Sequence, residues 1–150
     1  MRIIVDGNDG VGKTTLAKRL QKDFNIKSFI HLSYNDPRDF EFYYNILKKD
    51  DVIFDRSFID EPIYAFVLNR EQQLPIDSEL KLYDVLKKLK YKVIICHTKD
   101  KLNKENEHKE IVAKETTIDE YFEKVASEHN FLYYDPMTES YELLLEKLKG

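Results

Sequence analysis

The 150-residue chain has no tryptophan, one cysteine, four glycines and four prolines. With a single cysteine, no disulfide framework can form within the chain. Cys96 stands in the apolar run Val93-Ile94-Ile95-Cys96, so it reads as a small buried strand residue rather than a nucleophile or metal ligand. It gives weak support to a reducing compartment. No linker, low-complexity tract or internal repeat is present. No stretch approaches the roughly 18 consecutive apolar residues of a membrane span. A strand-like run opens the sequence where a signal peptide would stand, which makes the cytoplasm the expected compartment and leaves no membrane partner. Basic excess is missing too: 24 Lys and Arg face 28 Asp and Glu, for a net charge of −4. Proteins that hold nucleic acid mainly through its phosphates need a positive footprint, so a nucleic-acid acceptor is disfavoured.

Hydrophobic residues make up 42% of the chain and charged residues 35%, a globular composition of a length suited to one domain over 1–150. Short, continuously apolar runs at 2–6, 28–32, 52–55, 93–97 and 131–134 alternate with helical patterns. Such alternation predicts an α/β fold, a parallel sheet with helices on both faces. The helical stripes are Leu16, Leu20 and Phe24; Tyr43, Ile46 and Leu47; Ile63, Phe66 and Val67 after Pro62; Leu80, Tyr83, Leu86 and Leu89; Ile118, Tyr121, Phe122 and Val125; and Tyr141, Leu144, Leu145 and Leu148. Each reads as core.

Residues 7–14 are Gly-Asn-Asp-Gly-Val-Gly-Lys-Thr, an unbroken G-x-x-x-x-G-K-[ST] run between the first strand and the first helix. Glycines at 7, 10 and 12 let the backbone turn its N–H groups into a concave nest, and the helix adds the positive end of its dipole. A polyphosphate fits there. The phosphate-binding set is Asp9, Gly10, Val11, Gly12, Lys13, Thr14 and Thr15, with Lys13 reaching the β- and γ-phosphates of ATP and the Thr14 hydroxyl ligating Mg²⁺.

The third strand ends in Asp55-Arg56-Ser57, at the carboxyl edge where open α/β sheets place ligands. Asp55 is expected to hold a Mg²⁺-bound water or accept a proton, and Arg56 to clamp a phosphoryl group. After the second strand, Asp36 in Asn35-Asp36-Pro37-Arg38 stands where it could accept the proton of an attacking hydroxyl, with Arg38 near an acceptor phosphate. Asp-Pro is equally an ordinary turn signal. Asp9, an acid inside the phosphate loop, points to a second substrate. Phe40, Tyr43, Tyr44, Tyr64 and Phe66 are candidates for stacking a base, most of them core. The segment 99–115 has few apolar residues and several lysines, among them Lys101, Lys104 and Lys109; it reads either as a solvated loop or as a lid over bound phosphates.

Taken together, Asp9-Gly10-Val11-Gly12-Lys13-Thr14-Thr15 after Gly7, and Asp55-Arg56-Ser57 followed by Tyr64-Ala65, resemble the thymidylate kinase and deoxynucleoside kinase group of P-loop kinases. Tyr134-Asp135-Pro136-Met137-Thr138-Glu139-Ser140 stands where that group has its adenine-contacting turn. The resemblance implies a three-layer fold with a five-stranded parallel sheet of order 2-3-1-4-5, ATP with Mg²⁺, and γ-phosphoryl transfer to a deoxynucleoside monophosphate. It implies Arg56 bridging donor and acceptor, Asp9 facing the acceptor sugar, and Pro136, Met137 and Thr138 at the adenine; Arg38 and Tyr64 complete the expected acceptor side, and members of the group often dimerise through helices beside the substrate site, although no exposed apolar stripe of this sequence marks a homodimer face. Two features depart from the pattern: the Arg-Glu-Pro-Gly element after the second strand is absent, and only 18 residues lie between Asp36 and Asp55. An acceptor pocket more open than the family's would also admit a free nucleoside or a hydroxyl on DNA. A non-catalytic ATP-binding module is the remaining reading, and it leaves Asp55 and Arg56 without a purpose.

Overall fold

The computed structural model describes residues 1–33, 36–98 and 115–150. Strands β1 (Arg2–Gly7), β2 (Ser28–His31), β3 (Val52–Asp55), β4 (Lys92–Cys96) and β5 (Leu132–Tyr134) form one sheet, ordered β2-β3-β1-β4-β5 with every pairing parallel. Between and after them run α1 (Lys13–Asp23), α2 (Phe40–Leu47), α3 (Glu61–Val67), α4 (Ile76–Lys88), α5 (Glu115–His129) and α6 (Tyr141–Lys149). This is the expected order 2-3-1-4-5, and each strand falls within one residue of its apolar run.

Side chains alternate across a strand, so the central strands feed two cores. Ile4, Val52, Phe54, Val93 and Ile95 pack with Leu47, Tyr64, Leu86 and Phe122 from α2, α3, α4 and α5. Ile3, Val5, Ile53, Ile94 and Cys96 pack with Leu16, Leu20, Leu144 and Leu148 from α1 and α6. Three layers result. Each large apolar side chain so enclosed contributes about 1.5–3 kcal/mol.

Two stripe members depart from their expected burial. Leu80 on α4 is 60% exposed, and the buried face is Leu82, Tyr83 and Leu86. At about 100° per residue, a three-residue spacing places Leu80 about 120° around the helix from Leu86, off the core face. Phe66, 64% exposed, lies on the outer side of α3, whose buried residues include Ile63, Tyr64 and Val67. No helix among the described residues is long and apolar enough to cross a membrane.

Candidate active site

The carboxyl ends of β1, β2 and β3 converge on the loop that leads into α1. Gly7 has φ +135°, and a Cβ there would meet the Cys96 carbonyl oxygen at 2.3 Å, so β4 admits only glycine beside it. Gly10 and Gly12 have φ 75° and 85°. Gly12 caps α1 without a side-chain hydrogen bond, and the first turn of α1 contains no acid. Its leading N–H groups are therefore neither covered nor neutralised, which is what an anion site requires. Val11 anchors the loop in the core below, while Thr14 and Thr15 face solvent. The Lys13 ammonium is buried; it donates to the Asn8 carbonyl at 2.6 Å and stands 3.7 Å from Asp9. Burial, followed by the neighbouring Arg56 charge, holds its pKa below the usual lysine value.

Asp55 closes β3, in register with Val5 on one side and His31 on the other, and is fully buried. Its Oδ2 accepts from the Thr14 hydroxyl at 2.6 Å and meets His31 Nδ1 at 2.8 Å. Its Oδ1 is buried with no hydrogen-bond partner. A hydroxyl and a carboxylate meeting at one point, with an open acceptor lone pair, fit Mg²⁺. No group of three or more His, Cys, Asp or Glu that could hold a metal occurs among the described residues. A metal here would draw its remaining ligands from water and phosphate oxygens, as Mg²⁺ does.

Arg56 follows in a left-handed backbone, φ 76°, a conformation that costs a non-glycine residue on the order of 1–3 kcal/mol and concentrates at functional sites. Its N–H donates to the Val5 carbonyl at 2.9 Å, and its guanidinium pairs with Asp9 while lying 3.9 Å from Asp60. Burial opposes that charge, but Asp60 and Asp9 outweigh it and raise the Arg56 pKa well above its usual value. The network then continues inward. Arg38 bonds Asp60 at 3.5 Å, Glu61 at 3.2 Å, the Tyr43 hydroxyl at 3.2 Å and the Ser33 carbonyl at 2.8 Å; Arg70 bonds Glu61 at 3.0 and 3.3 Å. Beneath Arg56, Asp6 accepts from Gly7 N–H at 2.9 Å and from the Ser57 hydroxyl at 2.8 Å. Burial, then the Asp60 carboxylate, push the Asp6 pKa well up.

Lys13, Thr14, Thr15, Gly10, Gly12, Asp9, Asp55 and Arg56 thus line one cavity of about 190 Å³. A larger one, about 300 Å³ beside Tyr83 and His129, lies at the opposite sheet edge, away from the loop. Arg38 is buried among ion partners, and Asp36 closes a local turn by accepting from Ser33 N–H at 2.7 Å. Tyr64 is buried 5.4 Å beneath the Arg56 guanidinium, its hydroxyl 3.4 Å from Asn8 Oδ1. Pro136 stands next to Gly12, which brings the 135–139 turn against the phosphate loop; Asp135 accepts from Met137 N–H at 2.8 Å, and Met137 is half exposed. Lys101, Lys104 and Lys109 lie outside the described residues.

Three site residues escaped the sequence reading: His31, Asp60 and Glu61. His31 carried a usable signal, a polar residue ending the strand that parallel pairing sets beside β3. Asp60 and Glu61 precede Pro62 and resemble ordinary acids at a helix start, the position the dipole favours.

A glycine loop feeding an uncapped helix, with an acid at the end of the neighbouring strand of a 2-3-1-4-5 parallel sheet, defines the three-layer α/β P-loop kinase fold. Among solved structures the chain is similar to the YorR protein of Bacillus subtilis in complex with phosphorylated GDP, with a TM-score of 0.74 and 19% identity over 99% of this chain and 94% of that one. It is also similar to deoxyadenosine kinase from M. mycoides, with TM-scores of 0.57 for the form with bound dCTP, at 21% identity and 99% coverage of both chains, and 0.54 for the form with dATP, at 18% identity and full coverage of both. No family model matches the sequence, and no curated protein matches it.

Proposed function

We propose that the protein is an ATP-dependent phosphotransferase that moves the γ-phosphoryl group of ATP, with Mg²⁺, to the hydroxyl of a deoxynucleoside. The observation that carries this reading is the convergence of Lys13, Thr14, Asp55 and Arg56 on one cavity at the mouth of the phosphate loop. The loop N–H groups and Lys13 hold the polyphosphate. Thr14 and Asp55 would hold the metal, which would supply neutralisation of phosphate charge. Arg56, held by Asp9 and Asp60 over the Tyr64 ring, presents its remaining N–H donors to the phosphoryl group in transit. Catalysis of this kind rests on positioning and electrostatic stabilisation.

A monophosphate acceptor needs a cation of its own. Arg38 and Arg70 are engaged with Asp60 and Glu61, which turns the reading from a deoxynucleoside monophosphate toward a nucleoside. The neighbouring deoxyadenosine kinases support that acceptor class.

The test is transfer from radiolabelled ATP to a panel of deoxynucleosides, deoxynucleoside monophosphates, and single- and double-stranded DNA. Label on a deoxynucleoside is expected, abolished in Lys13→Ala with the fold retained. Label only on monophosphates or only on DNA would replace the acceptor, and unchanged turnover in Lys13→Ala would refute the phosphotransferase reading itself.

A further inference from the structure

His31 has no place in the glycine loop or the Asp55-Arg56 pair, yet it lines the same cavity. It ends β2 directly opposite Asp55 in the parallel register, so two paired backbones hold the two residues side by side. Leu32 N–H bonds the Asp55 carbonyl at 3.1 Å and fixes the strand just beyond. Nδ1 of His31 meets Asp55 Oδ2 at 2.8 Å, while the imidazole side chain remains 52% exposed. A carboxylate only accepts, so Nδ1 carries the hydrogen in this contact. That leaves Nε2 on the open side, its direction set by a buried partner fixed in the neighbouring strand.

Asp55 itself is poorly placed to meet an acceptor. It is fully buried, and its Oδ2 already takes Thr14 and His31. Asp36, the other acid expected there, is tied to the Ser33 turn. Among the described residues at this edge, His31 pairs a fixed orientation with an open hydrogen-bonding face.

We infer that His31 contacts the acceptor, its Nε2 hydrogen-bonding the nucleoside hydroxyl and aiming that oxygen at the phosphoryl group, with Asp55 holding the ring. The inference rests on the nucleoside-kinase reading above. Misplacing a reacting oxygen by about an ångström costs on the order of 10²-fold in rate, which sets the scale of the effect.

The experiment compares His31→Ala, His31→Asn and His31→Gln with the unmodified protein, measuring kcat, the KM of nucleoside and ATP, and melting temperature. The Asn amide reaches the Nδ1 position and can keep the Asp55 bond; the Gln amide reaches the Nε2 position and can keep the contact with the hydroxyl. Alanine is expected to lower kcat about 10²-fold with the ATP KM little changed. Asn should restore melting temperature without restoring kcat, and Gln should recover about tenfold of kcat over Ala. Wild-type kcat in His31→Asn would mean that the histidine only holds Asp55, and would overturn the inference, as would a loss seen in the ATP KM instead of kcat or a Gln variant no faster than Ala. If the unmodified protein labels no nucleoside, the functional reading falls and this inference with it; if it does and kcat survives in all three variants, the inference alone falls.

Discussion

Replacing Glu61 with Gln tests whether the buried ion network around Arg38, Asp60, Glu61 and Arg70 is one mutually compensating unit. Glu61 is fully buried and accepts from Arg38 at 3.2 Å and from Arg70 at 3.0 and 3.3 Å. Glutamine preserves volume and one acceptor but removes the charge that compensates two guanidinium groups. Removing one partner of a buried pair costs about 3–5 kcal/mol, because the other charge is left uncompensated. Here the cost falls at the low end. Arg38 retains Asp60, Tyr43 and Ser33, and the Arg70 side chain, 28% exposed, can turn toward water. The expectation is about 3 kcal/mol, two decades in the folding equilibrium and roughly 6–12 °C in melting temperature for a chain of this size. Urea denaturation of both proteins measures it. Adding Arg38→Met to Glu61→Gln should recover part of the loss, since the orphan charge is then gone, and the double-mutant cycle should show about 1–3 kcal/mol of coupling. A loss below about 1 kcal/mol in Glu61→Gln, with no coupling, would refute the claim that this network is a buried, mutually compensating unit.

Arg56→Ala should lower kcat by about 10²–10³-fold while ATP affinity, measured by direct titration, changes little; equal losses in both would assign Arg56 to ground-state binding. Gly7→Ala places a methyl 2.3 Å from the Cys96 carbonyl oxygen in a left-handed backbone, so a loss above about 3 kcal/mol in urea is expected, and a drop under about 1 kcal/mol would contradict the close approach of β1 and β4. Asp6 has a raised folded pKa, so its contribution is fully present below the ordinary carboxylate pKa and is lost as pH rises through the folded value. Asp6→Asn, which stays neutral, should therefore show a smaller fall in urea midpoint from pH 4 toward pH 8 than the unmodified protein; parallel curves would refute the assignment.

The glycine loop was legible because its geometry is local. The positive φ of Gly7, Gly10 and Gly12 and the helix end without a side-chain cap follow from consecutive residues, and the apolar runs reported the strands because both faces of a parallel strand are buried. The helix stripes were readable to within a turn, failing at Leu80, where three-residue spacing drifts off the core face, and at Phe66 on the outer side of α3. What only the tertiary structure decided is which side chains meet across long stretches of chain. His31 joins Asp55, 24 positions away, through strand register, and Arg38 joins Glu61, 23 positions away, through the packing of the β2–α2 connection against the start of α3. From sequence Arg38 looked free for a phosphate; in the fold, burial demanded a carboxylate beside it. A charge withdrawn from water must find an opposite charge, and the fold, not the neighbouring sequence, determines which one is in reach.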